Sequence, residues 1–395
     1  MSRRVTERPV EDLLVVEFLD EEAEAARPQG RPGARFGGRT LHLARGSTAW
    51  RLLAVALSGA GLVAAVLPAV FLGPYEARLV TRFIALSVAL VGLQFVLGRA
   101  GMLSLCHGAF VGLGSYAASL ASSRWGWSYF AGLALAPLVA FAGGCLVGLL
   151  ALRIRATYLG PVTLAVAVAF PMVVKRFAWF TGGSSGLPLD ATMRAPSWTG
   201  LADARPHLWV HLVVTATAVL AFALARNLGR SPVGLAVRAV STNPIPATAS
   251  GVPVRRYRVL AFGVGAGLGG LGGALLVLDT PIVGADSYDL FRSLGYYAAV
   301  VVGGTTAIAG GVVGAALLTG VPWLLGTYSL RMSQNLVFGS LLLLVTFLAP
   351  GGAVTALRER LASVVVIDEV APRPPPRQGP REGRAGGDGT AGRGE

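Results

Sequence analysis

Apolar runs without a charged residue follow one another through the middle of the chain, at 52–75, 83–98, 100–123, 125–152, 156–174, 206–225, 259–278, 293–330 and 332–357. The hydrocarbon core of a bilayer is ~30 Å thick and takes about 20 helical residues to cross, so most of these runs suit one span each. The run 293–330 is too long for one span, and Gly303-Gly304 and Gly310-Gly311 offer breaks inside it, so it reads as two short helices. The pattern predicts an all-α, polytopic membrane bundle of about ten segments with Gly-rich broken helices. An even count puts both termini on one side.

Composition agrees with a membrane chain. Of 395 residues, 53% are hydrophobic and 14% charged, and the mean hydropathy is +0.62. The formal charge of +14 is informative through its placement. Residues 49–350 hold 19 of the 34 Lys and Arg but only six of the 20 acids: Glu76, Asp190, Asp203, Asp279, Asp286 and Asp289. Arg226, Arg230, Arg238, Arg255, Arg256 and Arg258 crowd 226–258 without one acid, the strongest inside signal in the sequence. With that loop in the cytosol, alternation puts both tails, Arg99, Arg153 and Arg155 inside and all six acids outside. Lys175, Arg176 and Arg331 fall outside, against the trend. No basic stripe with interleaved aromatics points to nucleic acid.

Residues 1–48 are polar, mixed in charge and rich in Gly, Pro and Arg, with no apolar stretch to serve as a cleavable signal, and read as a disordered cytosolic tail. The membrane domain is expected over 49–350, and a second cytosolic tail over 351–395, disordered from about residue 371. Cys106 and Cys145 lie within apolar runs and are expected as buried thiols rather than a disulfide.

Proton-coupled transport and most intramembrane catalysis need ionisable groups at depth. The span interiors contain no Asp or Glu, one His (His107), and Lys175, the sole Lys, at a span end. His207 and His211 are spaced i, i+4 without an accompanying acid, and are expected in an interfacial role rather than as metal ligands. No Walker-type phosphate loop occurs, so transport driven by ATP would need a separate nucleotide-binding chain. No cofactor or metal is called for. Small residues dominate instead: Gly263-Val-Gly-Ala-Gly-Leu-Gly-Gly-Leu-Gly-Gly273 suits either close helix packing or a broken helix beside a path.

Several ordered motifs carry a resemblance. Gly98-Arg-Ala-Gly-Met-Leu-Ser-Leu-Cys-His-Gly-Ala-Phe-Val-Gly-Leu-Gly-Ser-Tyr-Ala-Ala118 closely resembles the signature of branched-chain amino acid ABC transporter permeases. Arg155-Ala-Thr-Tyr-Leu-Gly-Pro-Val-Thr-Leu-Ala165, Thr181-Gly-Gly-Ser-Ser-Gly-Leu187 and Ser231-Pro-Val-Gly-Leu-Ala-Val-Arg-Ala239 are similar to its following segments, in order. Ala249-Ser-Gly-Val252, Val300-Val-Val-Gly-Gly304 and Gly310-Gly-Val-Val-Gly-Ala-Ala-Leu317 continue the match. Where relatives place acids after the third segment, this chain reads Ser241-Thr-Asn-Pro-Ile-Pro-Ala247.

The resemblance implies a permease subunit of an importer in a bacterial inner membrane. Its expected partners are a second permease subunit, two cytosolic ABC ATPase subunits that hydrolyse the ATP, and an external substrate-binding protein. The implied cargo is Leu, Ile or Val; relatives that move urea, short amides or sugars leave those cargoes open, and a non-ABC transporter or membrane enzyme is the remaining alternative. Ser231 as N-cap and Pro232 at the first helical position predict a short helix over Pro232–Thr242, expected to be the coupling helix. Gly234, Arg238, Ala239 and Gly251 are its candidate ATPase-coupling residues. Ser104, His107, Thr163, Thr305 and Thr306, polar residues at Gly-rich breaks, are candidates for the substrate pathway; their side chains equally suit hydrogen bonds within the helices.

Overall fold

A computed structural model describes residues 73–152, 158–189, 206–305 and 307–328, with Phe71 and scattered positions between 333 and 355. Thr306, Arg153, Arg155, Asp190, Asp203, Arg331, the N-terminal tail and the C-terminal tail beyond Thr355 lie outside the described residues, as do nearly all of the expected span 52–75 and about half of 332–357.

Among the described residues, ten helices longer than one turn carry the architecture: α1 (Pro74–Gln94), α2 (His107–Ser123), α3 (Tyr129–Leu152), α4 (Leu159–Arg176), α5 (Pro206–Arg230), α6 (Pro232–Thr242), α7 (Pro244–Ala249), α8 (Val254–Val277), α9 (Leu290–Gly303) and α10 (Ile308–Thr327). Six are long and apolar enough to cross a membrane: α1 with its extension to Arg99, α3, α4, α5, α8 and α10. The expected run 293–330 does divide into two helices, α9 and α10. The expected count of about ten spans is not reached among the described residues, because α2 and α9 are too short to qualify and the runs 52–75 and 332–357 are described only in part.

Three boundaries differ from expectation. The helix assigned to 83–98 begins at Pro74, with Glu76, Arg78 and Arg82 in its first turns, so Pro74 and Tyr75 belong to it and not to a preceding span. Pro at the first helical position is a favoured start, and charges there sit at an end of the bundle. The run 100–123 is helical only from His107, for reasons given below. Finally, Gly310 and Gly311 lie inside the first turn of α10, and the break falls at 304–307 alone.

Helix α8 is the centre, packed against α1, α2 and α3. Its glycine run is one unbroken helix, so those glycines serve approach rather than a break. A Cβ at Gly265 would strike Gly92 and Val96 of α1 and its extension, one at Gly270 would strike Ala140 of α3, one at Gly272 would strike Ala89 of α1, and one at Gly114 of α2 would strike Gly270. Helices without side chains on the facing ridge come close enough for dispersion contacts that lipid tails would otherwise supply. Helices α3, α4 and α5, by contrast, present Leu138, Leu146, Met172, Leu220 and Leu224 outward, as lipid-facing surfaces do.

At one end, two short strands, β1 (Leu187–Pro188) and β2 (Ile282–Val283), form an antiparallel pair, so a minimal ladder accompanies the otherwise all-α fold. Lys175 and Asp286 form an ion pair of 2.6 Å at the same end, and exposed Trp125, Trp127 and Trp179 suit a water–lipid boundary. Cys106 is buried and free as expected; Cys145 is free but only half-buried. His211 is buried in helix packing rather than interfacial: its Nδ1 lies 2.8 Å from Thr81 Oγ1 of α1, and its Nε2 lies 3.4 Å from Thr215 Oγ1.

Candidate functional site

Two interruptions of helix lie inside the bundle, and the expected pathway residues sit on them. At the first, α1 continues as a π-turn over Phe95–Arg99 and the chain then runs without helix through 100–106. Helix α2 starts at His107, whose Nε2 donates to the carbonyl of Ala89 at 2.8 Å. Ala89 lies ten residues before Arg99, hence roughly 15 Å farther into the bundle at 1.5 Å per residue. The segment 100–106 therefore climbs back into the protein before α2 can begin, which is why the expected span 100–123 lost its first residues.

Non-helical backbone at this depth must find internal partners. The N–H of Leu105 donates to Thr163 Oγ1 at 3.1 Å, while the same hydroxyl lies 3.0 Å from the carbonyls of Leu159 and Gly160 on α4. Met102 N–H reaches the Val96 carbonyl at 3.1 Å, and Gly108 N–H reaches Ser293 Oγ on α9 at 3.0 Å. Ser104 Oγ contacts Cys106 Sγ at 3.7 Å. His107 fits only because Gly269 leaves space for its ring, and its Nδ1 meets no hydrogen-bond partner among the described residues.

The second interruption separates α9 from α10. Gly304, with φ of 111°, takes a backbone shape that residues with a side chain rarely adopt. The carbonyls exposed by this break converge on a single amide: Gln94 Nε2 reaches Gly304 O at 3.1 Å, Thr305 O at 3.5 Å, and also Ala307 O. Glycines close in around it. A Cβ on Gly98 would collide with the Thr305 carbonyl, one on Gly310 with the Gly304 carbonyl, and one on Gly352 with the Gly304 backbone. Thr305 is half-buried and borders a space of only about 10 Å³.

A third region lies at the opposite end from the strand pair. Helix α6 spans Pro232–Thr242, as expected, and the Ser231 hydroxyl caps it by accepting from Gly234 N–H at 3.3 Å. Asn243 caps α7 in turn, accepting from Ile245 N–H at 3.2 Å. Gly251, with φ of 79°, ends α7 with the Val252 N–H bonded back to the Ala247 carbonyl, a closure that favours glycine. Gly234, Val237 and Val240 face inward, and Leu235, Arg238 and Ala239 face out. Val237 packs in one cluster with Met102 and Cys106 of the first interruption. Arg99 Nη1 donates to the Gly229 carbonyl at 2.6 Å, and Gly101 lies against Ser241 of α6.

The structure thus brings Ser104, His107 and Thr163 together, buried, on the first interruption, and places Thr305 on the second, with Thr306 outside the described residues. Arg238, Ala239 and Gly251 lie on the surface of the α6–α7 unit, and Gly234 on its buried face. A family model described as the permease component of branched-chain amino acid transport systems matches residues 75–347, which include both interruptions and that unit.

The chain belongs to this permease family. Two relatives are high-affinity branched-chain amino acid transport system permease proteins LivM. The one from Escherichia coli is 27% identical over 290 residues, covering 69% of this chain and 68% of the relative. The one from Salmonella typhimurium is 26% identical over the same length and shares. No solved structure matches.

For a permease of this family, sequence reasoning overlooked Gln94 and Ser293. Gln94 was legible as the one amide in an otherwise apolar run, a costly residue to bury unless its amide is used. Ser293 gave no such signal, because its bond to Gly108 joins residues 185 positions apart.

Proposed function

We propose that this permease is the membrane subunit of an ABC importer and translocates branched-chain amino acids delivered by an external binding protein. It acts beside a second permease subunit, with ATP hydrolysed on two cytosolic ABC ATPases, and has no catalytic role of its own. The observation that carries the reading is the family match across 75–347 together with the build of the α6–α7 unit. That unit is doubly capped, presents Leu235 and Arg238 outward, and stands at an end whose described residues include Arg99, Arg226, Arg230, Arg255, Arg256 and Arg258 but no acid. Charge of this sign supports a cytosolic face and, with it, cytosolic termini in a bacterial inner membrane.

In this reading α6–α7 receives the ATPase, with Arg238, Ala239 and Leu235 as contact residues and Gly234 and Gly251 as the residues that let the unit close. Movement of α6 reaches the first interruption through the buried cluster that Val237 shares with Met102 and Cys106, and through Ser241 beside Gly101. Ser104, His107 and Thr163 hold that interruption, while Thr305 lies on the second. The two interruptions are the deformable parts of the path, because they lack the continuous hydrogen-bond ladder that stiffens a helix.

The test is uptake into proteoliposomes holding this chain with a second permease, ATPase subunits and a binding protein. ATP-dependent uptake of labelled leucine, absent with urea or ribose, is the expected result; uptake of urea or ribose in its place would reassign the cargo. Arg238→Glu is expected to abolish ATPase association, and an intact, active complex in that variant would remove α6 as the coupling element.

A further inference from the structure

At the end bearing the strand pair, a partly enclosed cavity of about 210 Å³ lies between α1, α8, α9 and α10. Arg82 of α1 and Arg292 of α9, both exposed, line it, and both charges, with that of Asp289, act on the buried Tyr296 that also lines it. Neither guanidinium has an ion-pair partner among the described residues, although Asp279 lies near enough to Arg82 to feel its field. Arg292 stands in the first turn of α9, which the Asp289 carboxylate caps by accepting from the Arg292 N–H at 2.9 Å. Leu86, Leu276 and Leu318 form the apolar side of the same cavity. Two unpaired forked cations against an aliphatic wall match one ligand chemistry: a carboxylate carried on a small branched aliphatic body.

We propose that this cavity is a carboxylate subsite in which Arg82 and Arg292 hold the carboxylate of the cargo while the leucines take its side chain. The proposal rests on the importer reading for the identity of that cargo. An anion placed there is held by both guanidiniums, which line the cavity from two different helices.

The experiment uses the assembled complex in nanodiscs without binding protein, with phenylglyoxal as the arginine probe and peptide mass spectrometry as the readout. Leucine and 4-methylpentanoate are expected to slow modification of Arg82 and Arg292 by roughly fivefold or more, and leucinamide, which lacks the carboxylate, to leave it unchanged. Absent protection, or equal protection by leucinamide, would overturn the subsite. In proteoliposomes, Arg82→Gln and Arg292→Gln are expected to lower the saturating rate of leucine uptake about tenfold, with Arg→Lys at each position intermediate. An unchanged saturating rate with a raised requirement for binding protein would overturn the proposal and make the arginines a docking contact for an acidic protein face. The two readings fail separately: protection without leucine uptake in the wild type sinks the importer reading alone, and uptake without protection sinks the subsite alone.

Discussion

The two interruptions solve the same problem by different means. Around 100–106 the backbone is satisfied piecemeal, by Thr163 from α4, Ser293 from α9 and the chain's own Val96 carbonyl. Around 304–307 one side chain, Gln94, gathers three carbonyls, and Gly98, Gly310 and Gly352 seal the space so that no methyl group fits. The first is a distributed support in contact with α6, so strain there can be shared among elements. The second is a single clasp whose loss leaves several buried acceptors unpaired at once. A distributed support is suited to moving, and a clasp to holding or releasing.

The sharpest way to break the comparison is steric. Gly98→Val is expected to prevent closure of α10 onto α1, since its side chain enters the Thr305 carbonyl; overpacking of this kind costs about 3 kcal/mol or more, read as loss of folded protein by size-exclusion fluorescence. Gln94→Leu keeps the volume but orphans the carbonyls, with an expected loss of about 2 kcal/mol in thermal stability, and with Thr305 and Ala307 exchanging amide hydrogens faster. Thr163→Val removes one hydroxyl from the distributed support and is expected to cost about 1 kcal/mol, with the change in exchange confined to 100–106. An effect of Thr163→Val as large as that of Gln94→Leu would erase the distinction between clasp and support. Smallest for the membrane core is Ser231→Ala, which is expected to cost about 1 kcal/mol in α6 and to show chiefly as weaker ATPase binding.

Much of the architecture was legible one residue at a time. Apolar length marked α3, α4, α5 and α8, because the bilayer sets how many residues must be apolar, and Ser231-Pro232 marked the start of α6, because a cap acts on its nearest neighbours. The division of 293–330 was also readable, although which glycine pair broke it was not: Gly303-Gly304 and Gly310-Gly311 are alike locally, and they differ in what packs on them, Gly352 on Gly304 and Val91 and Gln94 of α1 on Gly311. The candidate pathway residues were recognisable as polar positions at breaks, yet their partners were not, since Thr163 bonds back to its own helix and across to Leu105 with the same oxygen.

What the sequence determined by itself is whatever depends on short-range chemistry and on the solvent: spans sized to a bilayer, the acid-free loop, the cap of α6 and the family motifs. Tertiary structure decided where the chain leaves the helix and what compensates it. His107 begins α2 because the Ala89 carbonyl and the space over Gly269 accept it there, and Gln94 became a clasp because α9 ends within reach of its amide. Arg82 and Arg292, unremarkable 210 positions apart, became two walls of one cavity only when α1 and α9 packed together. Hydrogen bonds and charges at depth act over a few ångströms of space, and distance along the chain carries no record of that.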